Sequence, residues 1–268
     1  MQSSPPNKPV LPEPAKFTIS LYPDTADWRW SERSKKQWKE IDEDDEYVAF
    51  YKLWSDPTTR PKFRKEFPYP LSIGEGPTIS PAGKPILITE AYDKMFRRLL
   101  GLREEDLKSK SVKGAVITGQ PGIGVPLTRS PPHTTTYWRI YFPGKTVFQK
   151  FMLAQLISAR EVVLLCDSDT ILLFFRGRVY SRETTSGFNF LPTLPINVYY
   201  PIWALVDVRQ LQEPPIAEKS NIWPVQTSPP HPARWKEWSK QNDAVLLGMP
   251  LWNMEELLEG YVVARSRF

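Results

Sequence analysis

The chain has 268 residues, of which 41% are hydrophobic and 24% charged, with a net charge of +5 and a pI near 9.1. That apolar content suffices for a packed core in one large domain, or one domain plus an arm. The single Cys166 excludes an internal disulfide, and no apolar run approaches the ~20 residues of a membrane helix. The opening stretch, Met1 to Pro14, is polar and proline-rich, unlike a secretory signal. An intracellular protein, cytoplasmic or nuclear, is therefore expected. No Lys/Arg-rich block stands out, so the mild basicity permits nucleic-acid contact without arguing for it.

Residues 1–16 read as a disordered leader, because proline-rich polar chain has little apolar surface to bury. Residues 17–81 form a Trp- and charge-rich region with Trp28, Trp30, Trp38 and Trp54. These tryptophans read as packing anchors. The acidic run Ile41–Glu46 reads as a solvated helix flank or loop, since nothing nearby has the spacing of a cation cage. Ile86–Leu102 has helical spacing at Ala91, Tyr92, Met95, Leu99 and Leu100, with Arg97, Arg98 and Arg103 expected on an exposed face. Lys108–Lys113 then reads as a loop into a short apolar strand, Ala115-Val116-Ile117.

After that strand stands Gly119-Gln120-Pro121-Gly122-Ile123-Gly124. A Walker A loop continues with Lys and Thr, yet Val125 follows here, and Gly144-Lys145-Thr146 opens a helical pattern 20 residues later. Without Val125–Gly144 the chain reads Gly-Gln-Pro-Gly-Ile-Gly-Lys-Thr, a full G-x-x-x-x-G-K-T. The chemistry needs both halves. Glycines let backbone N–H groups close around phosphate oxygens, and the following helix turns its positive end to the same phosphates. Lys145 would reach the β/γ-phosphates of ATP, and the Thr146 hydroxyl would ligate Mg²⁺. Either half alone reads as an ordinary turn or helix start. The intervening segment has four prolines and no acidic residue. It reads either as translated intron sequence or a gene-model error, or as a real insertion that disables the loop. Sequencing the transcript separates these.

Beyond Lys145, the positions Val147, Phe148, Phe151, Met152, Gln155 and Leu156 fit a helix packed on a sheet. Val162–Leu165, Ile171–Phe175 and Val179-Tyr180 read as antiparallel hairpins, with Asp167 and Asp169 as turn formers. Tyr200–Asp207 is an apolar strand ending in aspartate, the form of a Walker B element whose carboxylate helps hold Mg²⁺. Ile222–Gln226 leads into Thr227-Ser228, a strand end able to offer a polar sensor to a γ-phosphate. Ala244–Leu247 reads as a further core strand and Met254–Leu258 as a helix, while His133 and His231 read as loop residues. The expected fold is a three-layer α/β domain over residues 82–268, with a mostly parallel sheet and an antiparallel hairpin insertion.

In that order, LITEAYDKMFRRLL, VITGQPGIG, GKTVFQKFMLAQLI, LLCDSDTILLFF, IWALVD, VQTSPPHPARWKEWSKQ and MPLWNMEELLEG resemble the P-loop ATPase module of Crinkler and retrotransposon-hot-spot proteins. The likeness runs from about Ile86 to Gly260. It implies an ATPase domain of the broad AAA/STAND kind. Gly119, Gln120, Pro121, Gly122, Ile123, Gly124, Gly144, Lys145 and Thr146 would hold the phosphates, with Thr146 and Asp207 on Mg²⁺ and Ser228 as a sensor. Contact with nucleic acid is implied by the resemblance alone, and the protein partner such a module would serve is not identified by it. The chain departs from the pattern in its interrupted loop, and in the absence of a helical lid after Gly260, which reads as a C-terminal truncation. Val208 stands where a water-activating glutamate is common, which weakens hydrolysis more than binding. The expected function is ATP binding, impaired by residues 125–144; the competing one is a catalytically inactive scaffold that keeps the fold as an interaction surface.

Overall fold

The computed structural model describes residues 38–58, 90–109, 114–119, 145–167, 170–183, 202–207 and 222–250. The leader, Gln120 to Gly124, the segment Val125–Gly144, His133 and the helix expected over Met254–Leu258 lie outside the described residues. The described chain is a mixed α/β structure built on one eight-stranded, mostly parallel sheet. Its strands are β1 (Lys39–Glu40), β2 (Ala115–Thr118), β3 (Val163–Asp167), β4 (Thr170–Phe175), β5 (Arg178–Glu183), β6 (Ile202–Asp207), β7 (Ile222–Ser228) and β8 (Val245–Gly248). They lie side by side in the order β1-β5-β4-β3-β6-β7-β2-β8. Every pairing from β3 to β8 across that order is parallel, and β1, β5 and β4 are antiparallel additions at one side.

The continuous apolar runs in β2, β3 and β6 fit strands covered on both faces. One face carries Ile117, Val163, Leu165, Trp203, Leu205, Trp223 and Val225, packed with helices α1 (Glu46–Ser55), α2 (Glu90–Ser109) and α3 (Lys145–Ser158). The opposite face carries Leu164, Cys166, Leu173, Ala204 and Val206, with Trp38 beside them. Among the described residues no helix joins that second cluster, so the two-layer part of the expected three-layer arrangement is what is seen.

Three expectations are revised. The strand expected only as a hairpin arm, β3, also pairs in parallel with β6 and so belongs to the parallel block. Helix α2 runs on to Ser109, because Arg103-Glu104-Glu105 and Leu107-Lys108 are good helix formers and no glycine or proline stops them. Arg103 is not on an exposed face. It is 4% exposed, with its guanidinium 4.7 Å from the Trp203 ring centroid and 3.5 Å from Glu161, whereas Arg97 and Arg98 are exposed as expected.

Residues 38–58 share the same sheet and core. Lys39 and Glu40 pair with β5, and Val48, Phe50, Tyr51 and Trp54 enter the helical-face cluster. Helix α1 starts at the end of the acidic run, where Asp45 Oδ1 accepts the Tyr47 N–H at 2.7 Å and satisfies one orphan donor of the first turn. Trp38 and Trp54 are buried, as packing anchors would be. Helix α3 ends in a Schellman turn, with Glu161 N–H on Leu156 O at 3.0 Å and Arg160 N–H on Ile157 O at 2.9 Å. Arg160 takes the left-handed conformation there, φ 59°. That turn delivers Glu161 to Arg103.

Candidate functional site

The parallel block places several strand ends at one edge of the sheet. In register, Asp207 of β6 lies opposite Thr227 of β7, and Ser228 of β7 lies opposite Thr118 of β2. Thr118 in turn lies opposite Gly248 of β8, and Met249 N–H donates to Thr118 O at 2.7 Å. Gly119 follows directly. One strand separates it from Asp207, a lateral distance of roughly 10 Å at ~4.8 Å per strand. A Cβ on Gly119 would come within 3.0 Å of the Met249 Cβ, so this backbone runs close under its neighbour.

The connections make this edge a switch point. From β2 the chain passes through α3 to β3, on one side; from β7 it passes to β8, on the other side of β2. Open α/β sheets bind ligands where the strand order reverses in this way, outside the carboxyl ends of the strands.

Helix α3 begins at Lys145 and is tied to the same edge by Gln149, which is 3% exposed. With its amide oriented by the hydrogen-bond network, Gln149 Oε1 accepts from Val206 N–H at 3.0 Å and from Asp207 N–H at 3.1 Å. Lys145 precedes Gln149 by one turn, roughly 6 Å along the helix axis. The helix start and the Asp207 backbone therefore sit at one end of the sheet, and the N–H groups of the first turn open toward it. Of the residues named from sequence, Gly119, Lys145, Thr146, Asp207 and Ser228 lie on elements that meet here; Gln120, Pro121, Gly122, Ile123, Gly124 and Gly144 lie outside the described residues.

Alternation along the strands separates two polar residues that the sequence presents together. Trp223 and Val225 belong to the helical face, which assigns Thr227 to that face, with Asp207 and α3, and Ser228 to the opposite one. Thr227 Oγ1 donates to Val206 O at 3.3 Å. Ser228 Oγ and Thr118 Oγ1, across from each other in register, are buried without a hydrogen-bond partner. Buried orphan hydroxyls of this kind call for a water, an ion or a ligand.

One residue of this corner, Gln149, carries no motif and is missed by reading the sequence; the other, Thr227, is named there beside Ser228 without its face being assigned. Gln149 is a polar residue within an otherwise apolar run, Phe148 to Ile157 being interrupted only by Gln149, Lys150 and Gln155. The face of Thr227 is recoverable by counting alternate positions from Trp223. No family model, curated protein or solved structure matches the chain. Among the described residues no group of three or more His, Cys, Asp or Glu is placed to hold a metal ion, and no described helix is long and apolar enough to cross a membrane.

Proposed function

We propose that the chain is a nucleotide-binding module of the P-loop kind, similar to those of Crinkler and retrotransposon-hot-spot proteins, that takes Mg·ATP at the carboxyl edge of its parallel sheet. The observation that carries this reading is the tie between α3 and β6. The helix opened by Lys145-Thr146 is fastened by Gln149 to the backbone of Asp207, on the edge where β2 ends in Thr118 and Gly119 follows.

In this reading the glycine turn and the helix N-terminus cradle the phosphates, and Lys145 neutralises the β/γ oxygens. Mg²⁺ needs no ready-made cage: it is commonly held by one or two carboxylates together with phosphate oxygens and water. Asp207 and the Thr146 hydroxyl form a donor set of that size. The metal supplies charge neutralisation on the phosphates. Thr227, on the face of Asp207 and α3, would be the residue of β7 nearer a γ-phosphate, while Ser228 would face the other side of the sheet.

Binding without efficient turnover is the form this reading takes, because Val208, where a water-activating glutamate is common, follows Asp207. A catalytically inactive scaffold is the competing outcome. Equilibrium titration of the chain with Mg·ATP decides between them. Binding that disappears in Lys145→Ala supports the nucleotide module. No binding by the full chain, nor by one lacking Val125–Gly144, leaves the scaffold.

A further inference from the structure

The tie between α3 and β6 falls where the pairing of β6 with β3 stops, at Val206. With the Gln149 amide turned so that its oxygen faces the strand, one buried acceptor lies 3.0 Å from Val206 N–H and 3.1 Å from Asp207 N–H. Gln149 is itself 3% exposed, on a stretch of helix where Phe148, Met152 and Leu153 are also buried, so the amide has little freedom to swing away. The last residue of β6 is thereby held at a fixed distance from the first turn of α3.

We infer that Gln149 is a positioning residue, which sets the reach between whatever anion is held at the start of α3 and the carboxylate of Asp207. This rests on the nucleotide reading above and adds to it. Gln149 touches neither phosphate nor metal and acts through the Asp207 backbone. A metal ion bridging phosphate and carboxylate tolerates little error in that distance, because Mg²⁺ demands near-octahedral geometry at 2.0–2.1 Å. Phosphate contacts made by the helix itself do not depend on β6. Loss of the tie therefore weakens the metal-dependent part of binding and spares the metal-free part.

The test is a double-mutant cycle on the full chain. ATP affinity is measured with Mg²⁺ and with EDTA for the unsubstituted protein, Gln149→Met, Asp207→Asn and the double variant. Gln149→Met keeps the length and removes the acceptor. The expected result is a loss of about tenfold in Mg·ATP affinity, with metal-free ATP affinity unchanged within about twofold. Gln149→Met adds nothing once Asp207→Asn is present, since both act on one interaction. Equal losses with and without Mg²⁺, or losses that add in the double variant, overturn the inference and leave Gln149 as packing. Should Gln149→Met fail to fold, Gln149→Glu carries the test, because a carboxylate still accepts both N–H groups; loss of the Mg²⁺ increment there also overturns it. If the unsubstituted chain shows no Mg²⁺-dependent affinity at all, the nucleotide reading is what has failed. In that case amide exchange at Val206 and Asp207, unaffected by Gln149→Met, would remove the tie as well.

Discussion

The guanidinium of Arg103 lies 4.7 Å from the centroid of the Trp203 indole, beneath the centre of the sheet. Its Nη1 is 3.5 Å from Glu161 Oε2, with the two side chains 5% and 9% exposed. Burial raises the Glu161 carboxyl above its usual value, and the charge of Arg103 works in the opposite direction. Removing the arginine leaves a buried carboxyl without its counter-charge. Arg103→Met is expected to cost about 3–5 kcal/mol, and Arg103→Met with Glu161→Leu to recover most of it. A raised folded-state value means stability that is full at low pH and lost as pH rises. The single variant's deficit should therefore be smaller at about pH 5 than at about pH 8. Urea denaturation at both values checks this; an equal deficit at both would mean that the ionised carboxylate finds other support.

Two glycines respond oppositely to alanine. Gly101 lies inside α2, where an added Cβ meets nothing within 4 Å, so Gly101→Ala should stabilise the protein by about 0.5–1 kcal/mol. Gly114 precedes β2 at φ +135°, and its Cβ would lie 2.6 Å from Pro224 O. Gly114→Ala is expected to destabilise by about 1–3 kcal/mol. Denaturation midpoints of the two variants should move in opposite directions.

Cys166 sits on the face of the sheet away from the helices, and burial pushes its thiol up from 9.0 to about 12. The folded protein should resist alkylation near neutral pH and react once unfolded by denaturant. The sign of the linkage is unfavourable to folding in alkali. The unfolded thiol ionises above its ordinary value of 9.0 while the folded one stays protonated, so stability should fall as pH rises from about 9 toward 12. Cys166→Ala should remove that part of the decline, measured by denaturation across the same range.

Residues 120–144 put 25 residues between Gly119 and Lys145, against five once Val125–Gly144 is removed. Closure cost on folding grows as (3/2)RT ln n, so a fivefold lengthening amounts to roughly 1.4 kcal/mol. Because β2 and α3 already belong to the folded sheet, that cost falls on folding and not on ATP binding. The shortened chain should be more stable than the full one by about that amount in urea denaturation, and a difference of opposite sign would show that the extra segment contributes favourable packing.

Much of the architecture is legible in the sequence, because long apolar runs such as Ile202–Val206 and the 3–4 spacing of Tyr92, Met95 and Leu99 carry their period openly. The place of β3 is not. Hairpin chemistry on its Asp167 side signals β4 but says nothing of its second partner, which is chosen by burial on both faces. Arg103 escapes for a related reason: a charged residue on a helix is expected in water until a distant Glu161 and Trp203 are known to meet it. At the site, Asp207 and Gly119 are legible as strand ends. Gln149 is not, and Thr227 is so only as half of a Thr-Ser pair, since their importance lies in which backbone and which face they meet.

The position of β2 in the strand order has a consequence for synthesis. Ala115 finds its partners in Val225 and Val245, both made long after it leaves the ribosome. At ~5–20 residues per second β2 waits on the order of ten seconds with neither edge covered. The nascent chain must keep Ala115–Thr118 out of wrong pairings throughout that interval, and the sheet can be completed only when the last described strand arrives.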